Sequence, residues 1–293
     1  MKNFTCLIFI FVLSSYNLWG QEKTIPVINQ QTAHTLSSEI NETTYYLNVS
    51  LPQHYKAGDS IQYPVLYVLD GGMCFPVAHA ARTSMDFYRG LEDLIIVGIQ
   101  YDWERSFKPW FTKRWRDLTP DQDSLIDDNP DVRGILDMPT GTLTSGGASV
   151  FLQVLKNEII PFIEKHYKTT SDRGISGHSF GGLFTTYCLF TAPDLFNKYG
   201  INSPSFWWHN KMMFDIEKAF SKEHNILNAE IFMSVGSLEG PSMTPLILEF
   251  EEILRSRGYE GLDLTTRVFE DETHTSVLPA MMSSTIKTLY GKK

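Results

Sequence analysis

Cysteine is scarce in this chain, with three in 293 residues. Cys6, Cys74 and Cys188 show neither CxxC nor metal-ligand spacing, so the sequence offers no redox dithiol and no zinc cluster. Cys6 falls in an N-terminal apolar run, which leaves two thiols, compatible with one disulfide or none. Cys188 sits in an apolar helical stretch and is expected as a buried free thiol. Positive charge is also short: 25 Lys and Arg against 34 Asp and Glu give a net charge of −9. Phosphate binding requires a basic surface, so nucleic acid is not an expected partner. Internal repeats, low-complexity tracts and linkers are missing as well.

Long apolar runs are confined to the start. Met1-Lys2-Asn3 carries one positive charge, Phe4 to Leu13 is almost wholly apolar, and Ser14 to Gly20 is short and more polar. That layout reads as a secretory signal peptide over 1–20, cut after Gly20. Its apolar run is shorter than the roughly 20 residues that span a bilayer, and nothing later is long enough either. Residues 21–293 are therefore expected as one domain, secreted or periplasmic in a bacterium, with no stable membrane insertion. With 42% apolar residues and 13% aromatics, the chain can build a substantial core.

What is present is an alternation of short apolar strands and amphipathic helices. Thr43 to Leu51, Pro64 to Leu69, Leu94 to Gln100, Arg173 to Gly177, Lys198 to Asn202, Ala229 to Val235 and Leu264 to Phe269 read as strands. Helices are expected at Phe75 to Tyr88, Ala148 to Tyr167, Ser179 to Phe190, Met212 to Phe220 and Pro245 to Arg257, and in a last one ending near Leu289. This pattern implies an α/β fold with a largely parallel sheet covered on both faces. Ligands then bind beyond the carboxyl ends of the strands. The stretch from 101 to 147 reads as a long irregular insertion near that edge, and loops of such length are usually functional.

Gly177-His178-Ser179-Phe180-Gly181 matches G-x-S-x-G between an expected strand and an expected helix. In that context the pattern is a nucleophile elbow, in which a strained turn pushes the serine hydroxyl out of the sheet edge. Ser179 would sit at a helix N-terminus, where unpaired N–H groups favour developing negative charge. A serine needs a base, and His274, just past the last strand, stands where that base belongs. The acid should follow the preceding strand. Glu239 is the candidate, with Asp271 or Glu272 as alternatives and a two-residue Ser-His site also open. For the oxyanion, the Phe180 N–H and an N–H of Asp70-Gly71-Gly72-Met73 are candidates; Gly72 is favoured and Met73 is the alternative.

These residues resemble a known family. Asp70-Gly71-Gly72, Arg116-Asp117-Leu118-Thr119-Pro120, Gly146-Gly147-Ala148, Gly177 to Phe184 and Asn202-Ser203-Pro204-Ser205-Phe206-Trp207-Trp208 occur in that order. The chain is similar to the esterase D-like α/β hydrolases, nearest to the bacterial trilactone siderophore esterases. The resemblance implies the α/β-hydrolase fold, catalysis by Ser179 and His274 with Glu239 as the acid or as a dyad without one, and no metal or organic cofactor. It also implies that Trp207 and Trp208 face a pocket and, with Arg116, contact substrate. Arg105, Lys108, Lys113, Arg114 and Arg116 near Trp103, Trp110 and Trp115 suggest a cationic aromatic surface for an anionic aromatic ligand such as a catecholate. The expected partner is a small-molecule ester, either a catecholate siderophore or an acylated saccharide. A non-catalytic binding module and an acyltransferase are the readings from other classes.

Overall fold

The computed structural model describes residues 31–58, 60–101 and 107–292. The segment read as a signal peptide therefore lies outside the described residues, as do Trp103 and Arg105.

Eight strands form one sheet in the order β1-β2-β4-β3-β5-β6-β7-β8. They are β1 (Gln31–Ser37), β2 (Thr44–Ser50), β3 (Tyr63–Val68), β4 (Ile95–Tyr101), β5 (Thr169–His178), β6 (Lys198–Asn202), β7 (Ile226–Gly236) and β8 (Glu260–Phe269). From β4 to β8 the neighbouring strands are parallel, whereas β1 and β2 are antiparallel additions at one edge. The edge strand β1 is a correction to the sequence reading. Its QTAHTLS lacks an apolar run because it is largely exposed and held chiefly by pairing with β2.

Alternation along the central strands divides the core. Val65 and Tyr67 of β3 pack with Tyr45, Phe151 and Phe184 on one face, while Leu66 and Val68 pack with Phe75, Met281 and Ile286 on the other. Both faces are thus dry, which is why β3 and β4 read as continuous apolar runs. Helix α1 (Gly71–Phe87) and the C-terminal helix Leu278–Tyr290 cover one face.

Between β4 and β5 the chain is helical where the sequence suggested irregular structure: α2 (Phe107–Asp117), α3 (Ser124–Asp127) and α4 (Pro130–Leu136). Asn129 caps α4 by accepting from the Asp131 and Val132 N–H groups, and Pro130 supplies its first turn. The expected single helix from 148 is α5 (Ala148–Val154) and α6 (Ile160–His166) joined by a π-turn at Leu155–Ile159. Pro161 lacks the N–H that a regular helix would donate there, and the widened turn absorbs the defect. The later helices are α7 (Phe180–Thr191), α8 (Trp208–Glu223), α9 (Thr244–Arg257) and the C-terminal α10. Gly258, at φ 62°, ends α9 in the left-handed conformation expected of it. Met243 holds the N-cap position of α9, and the Thr244 hydroxyl donates to the Gly236 carbonyl at 2.9 Å. Cys74 and Cys188 are buried free thiols. Among the described residues no helix is long and apolar enough to cross a membrane.

Candidate active site

The residues singled out in the sequence gather at the carboxyl ends of the parallel strands. There His178 of β5 pairs with Asn202 of β6, and Asn202 with Ser234 of β7. Ser179 lies between β5 and α7 with φ 62° and ψ −118°, a backbone conformation rarely tolerated outside glycine. Glycine permits the turn: a Cβ on Gly177 would stand 2.2 Å from the Gly181 carbonyl carbon. Gly181 has ordinary room, with nothing nearer than 3.4 Å. The second crowded position is Gly182, where a Cβ would meet the Asn202 carbonyl oxygen at 2.7 Å. The Ser179 N–H donates to that same oxygen at 3.0 Å.

Glu239 follows β7 and His274 follows β8. His274 Nδ1 lies 2.6 Å from Glu239 Oε2. The other carboxylate oxygen accepts from Ser203 Oγ and from the Gly236 N–H, each at 2.6 Å. Burial of the carboxylate pushes its pKa up, but the bonds from His274, Ser203 and Gly236 together outweigh it and hold Glu239 below the usual carboxylate range. Neither alternative acid bonds the imidazole among the described contacts. Glu272 accepts from the Ser276 hydroxyl, and Asp271 is exposed, with its N–H on Ser237 Oγ.

The hydroxyl of Ser179 has Ser205 Oγ as its hydrogen-bond partner, at 3.4 Å, and makes none to His274. The two sides of the site meet through rings: the imidazoles of His178 and His274 lie 4.4 Å apart, tilted by 35°. Sequence reasoning missed what the Asn202 to Ser205 segment does. Ser203, at φ 41°, holds the acid; Ser205 touches the nucleophile and donates its N–H to the Ser179 carbonyl at 3.2 Å. Asn202 is fully buried and knits β5, β6 and β7 through Ser176, Gly200 and Ser234. The signal was there as Asn-Ser-Pro-Ser at the end of a buried strand.

Across the site, Asp70 adopts φ 52° and starts α1. Its carbonyl accepts from the Met73 and Cys74 N–H groups at 2.9 Å each, so Met73 is already committed. Gly72 lies one residue earlier in that first turn, and neither its N–H nor that of Phe180, which opens α7, has an acceptor among the described residues. Gly71 packs on β4, where a Cβ would come within 2.9 Å of the Gly98 carbonyl carbon. Arg114 of α2 grips both Asp70 carboxylate oxygens, at 2.7 and 2.8 Å, and the His178 carbonyl at 3.2 Å.

Three expectations need correction. Arg116 bonds Asp117 Oδ1 at 2.6 Å and Thr43 Oγ1 at 2.9 Å, committing its guanidinium to the fold; the arginine at the nucleophile loop is Arg114. Trp208 is fully buried against Trp115 and Phe180 and donates its indole N–H to the Asp121 carbonyl, so it is core and not a ligand contact. Trp207 is half-buried, its ring 5.9 Å from that of Phe180, and of the two tryptophans it alone retains exposed surface beside the nucleophile. Most described members of the cationic aromatic set are likewise committed elsewhere: Trp110 and Trp115 are buried, Arg114 is paired, and Lys108 binds Asp137, while Lys113 is half-buried. Among the described residues no three His, Cys, Asp or Glu side chains are grouped to hold a metal ion.

Comparison with known proteins gives consistent likenesses. The family model described as "Putative esterase" matches residues 141–258. The chain is 30% identical over 263 residues to the ferri-bacillibactin esterase BesA of Bacillus subtilis, covering 86% of each chain. It is 27% identical to the siderophore triacetylfusarinine C esterase of Aspergillus fumigatus, over 82% of this chain and 86% of that one. Among solved structures, the BES protein of Bacillus cereus superposes with a TM-score of 0.78 at 30% identity, over 92% of this chain and 99% of that one.

Proposed function

The chain belongs to the esterase family and is a carboxylic ester hydrolase, and from that premise we propose that Ser179 is its nucleophile, His274 its general base and Glu239 the acid that orients the base. The observation that carries the reading is the 2.6 Å contact between Glu239 and His274 Nδ1. It commits Nδ1 to carrying the imidazole's proton and leaves Nε2 as the lone-pair nitrogen able to take a proton from a serine.

The reaction then runs in two halves. Ser179 Oγ attacks the ester carbonyl carbon while its proton passes to His274 Nε2. The carbonyl oxygen, now negative, is received by the Phe180 and Gly72 N–H groups at the starts of α7 and α1, where helix dipoles also favour it. Collapse breaks the bond to the alcohol oxygen, which leaves with the proton from His274. Water, deprotonated by the same nitrogen, releases the acid and restores Ser179.

The substrate class we propose is a siderophore ester. The support is the naming of the relatives as esterases of ferri-bacillibactin, triacetylfusarinine C and enterobactin. The test is an ester panel of triscatechol trilactone, triacetylfusarinine C, and feruloylated and acetylated sugars, with serine-directed fluorophosphonate labelling alongside. Siderophore esters should turn over, and Ser179→Ala should abolish both turnover and labelling. Full turnover by Ser179→Ala would overturn the mechanism. Turnover of the sugar esters alone would leave the mechanism standing and end the siderophore assignment.

A further inference from the structure

His178, immediately before the nucleophile, is a titratable side chain for which the reaction above has no use. It is 6% exposed, and its ring lies against that of His274, with centroids 4.4 Å apart and planes tilted by 35°. The loop carrying His274 is otherwise tied to itself and to the turn after β7. The Leu238 N–H donates to the Glu272 carbonyl, the Asp271 N–H to Ser237 Oγ, and the Thr273 N–H to Ser276 Oγ. None of these bonds reaches the turn that presents Ser179. The base also reaches the nucleophile indirectly, through Glu239 and the Ser203–Ser205 segment, but among the described contacts His178 is what joins the base loop directly to the turn that presents Ser179.

The joint has a defined chemical form. Burial, then the charges of His274 and Arg114, drive the pKa of His178 down to about 3, and a hydrogen bond to the His274 backbone is the single opposing influence. The ring is therefore neutral, as it must be beside an imidazole that becomes a cation in every turnover. Its Nε2 is buried without a partner, which leaves Nδ1 as the nitrogen able to donate to the His274 backbone.

Resting on the reading of Ser179 and His274 given above, we propose that His178 is a positioning residue: its ring face and its Nδ1–H fix the base loop in register with the nucleophile. A shift of about 1 Å between such groups costs on the order of 100-fold in rate, so the joint governs kcat with little effect on substrate binding.

Two substitutions separate its parts. His178→Phe keeps a ring and loses the donor, whereas His178→Asn sets an amide nitrogen near the place of Nδ1 and loses the ring. Each should lower kcat by about 10- to 100-fold with KM within about twofold, and slow fluorophosphonate labelling in parallel. In a His274→Ala background neither should reduce the residual rate further, because nothing is left to position. Retained kcat in both variants, or an equal loss in the His274→Ala background, would overturn the role. Wild-type protein labelled with ¹⁵N-histidine decides the bond without any variant: His178 should carry its proton on Nδ1 from pH 5 to 9, and an Nε2–H form would refute it. Silent His178 variants beside inactive Ser179→Ala and His274→Ala overturn the positioning role alone, while an active Ser179→Ala removes the premise and the proposal with it.

Discussion

Replacing Glu239 by glutamine tests whether the site needs its acid. The carboxylate is fully buried and takes bonds from His274, Ser203 and Gly236, each at 2.6 Å. In Glu239→Gln the amide oxygen can still accept from Ser203 and Gly236, so the turn after β7 keeps its shape. The amide NH₂ then faces His274 Nδ1, which must become an acceptor, and the imidazole proton moves to Nε2. That is the nitrogen needed to take the serine proton, so the base is blocked by its own tautomer. An inverted tautomer in a serine hydrolase costs about 10³- to 10⁴-fold in rate, or about 4–5.5 kcal/mol of transition-state stabilisation. The assay is kcat/KM on a chromogenic ester, with the melting temperature as a check on folding. A loss of less than about tenfold in a folded variant would refute the reasoning and make the site a Ser-His dyad, leaving Glu239 a structural role.

Other outcomes follow from the same contacts. Alanine at Gly177 should lower the melting temperature most, at Gly182 next and at Gly181 least, because the added carbon would meet neighbours at 2.2, 2.7 and 3.4 Å; overpacking costs about 1–3 kcal/mol. Arg114→Met strands the buried Asp70 carboxylate and should cost about 3–5 kcal/mol in denaturant unfolding, with activity lost as the Asp70 and His178 loops loosen. His178, neutral when folded down to a pKa of about 3 but protonated below about 6.5 when unfolded, should cost about 1.4 kcal/mol of stability per pH unit as pH falls through that window; His178→Phe should flatten the slope. Glu239, whose folded pKa is depressed, adds stability that is present above the unfolded carboxylate value and fades as pH drops through the folded one, so Glu239→Gln should blunt the most acidic limb. Mass spectrometry of protein exported from a bacterial host should give a chain beginning at Gln21, the rest acting as one catalytic domain; a chain that keeps residues 1–20 would contradict the signal-peptide reading.

The central strands were legible because dry packing on both faces demands unbroken apolar runs such as Pro64 to Leu69, and the edge strand β8 because its residues alternate. An edge strand faces no such demand, and Gln31–Ser37 left no trace. Ser179, Glu239 and His274 could be picked out as candidates because each falls within a few residues of the end of a recognisable strand. Arg114 was not, because its partner Asp70 lies 44 positions away and a guanidinium that will be buried spells the same as one in water. Trp207 and Trp208 looked alike in the sequence, and the left-handed backbone at His209, Asn210 and Lys211 that follows them had no glycine to announce it.

The arginine that joins α2 to both Asp70 and the His178 carbonyl has a consequence for redesign. The segment between β4 and β5 is an obvious place to graft foreign loops in search of new substrates. A graft that omits this guanidinium would unseat the oxyanion turn and the serine turn together, however well its own side chains suit the new ester. Transplants there should carry position 114 with them, or change position 70 in the same step.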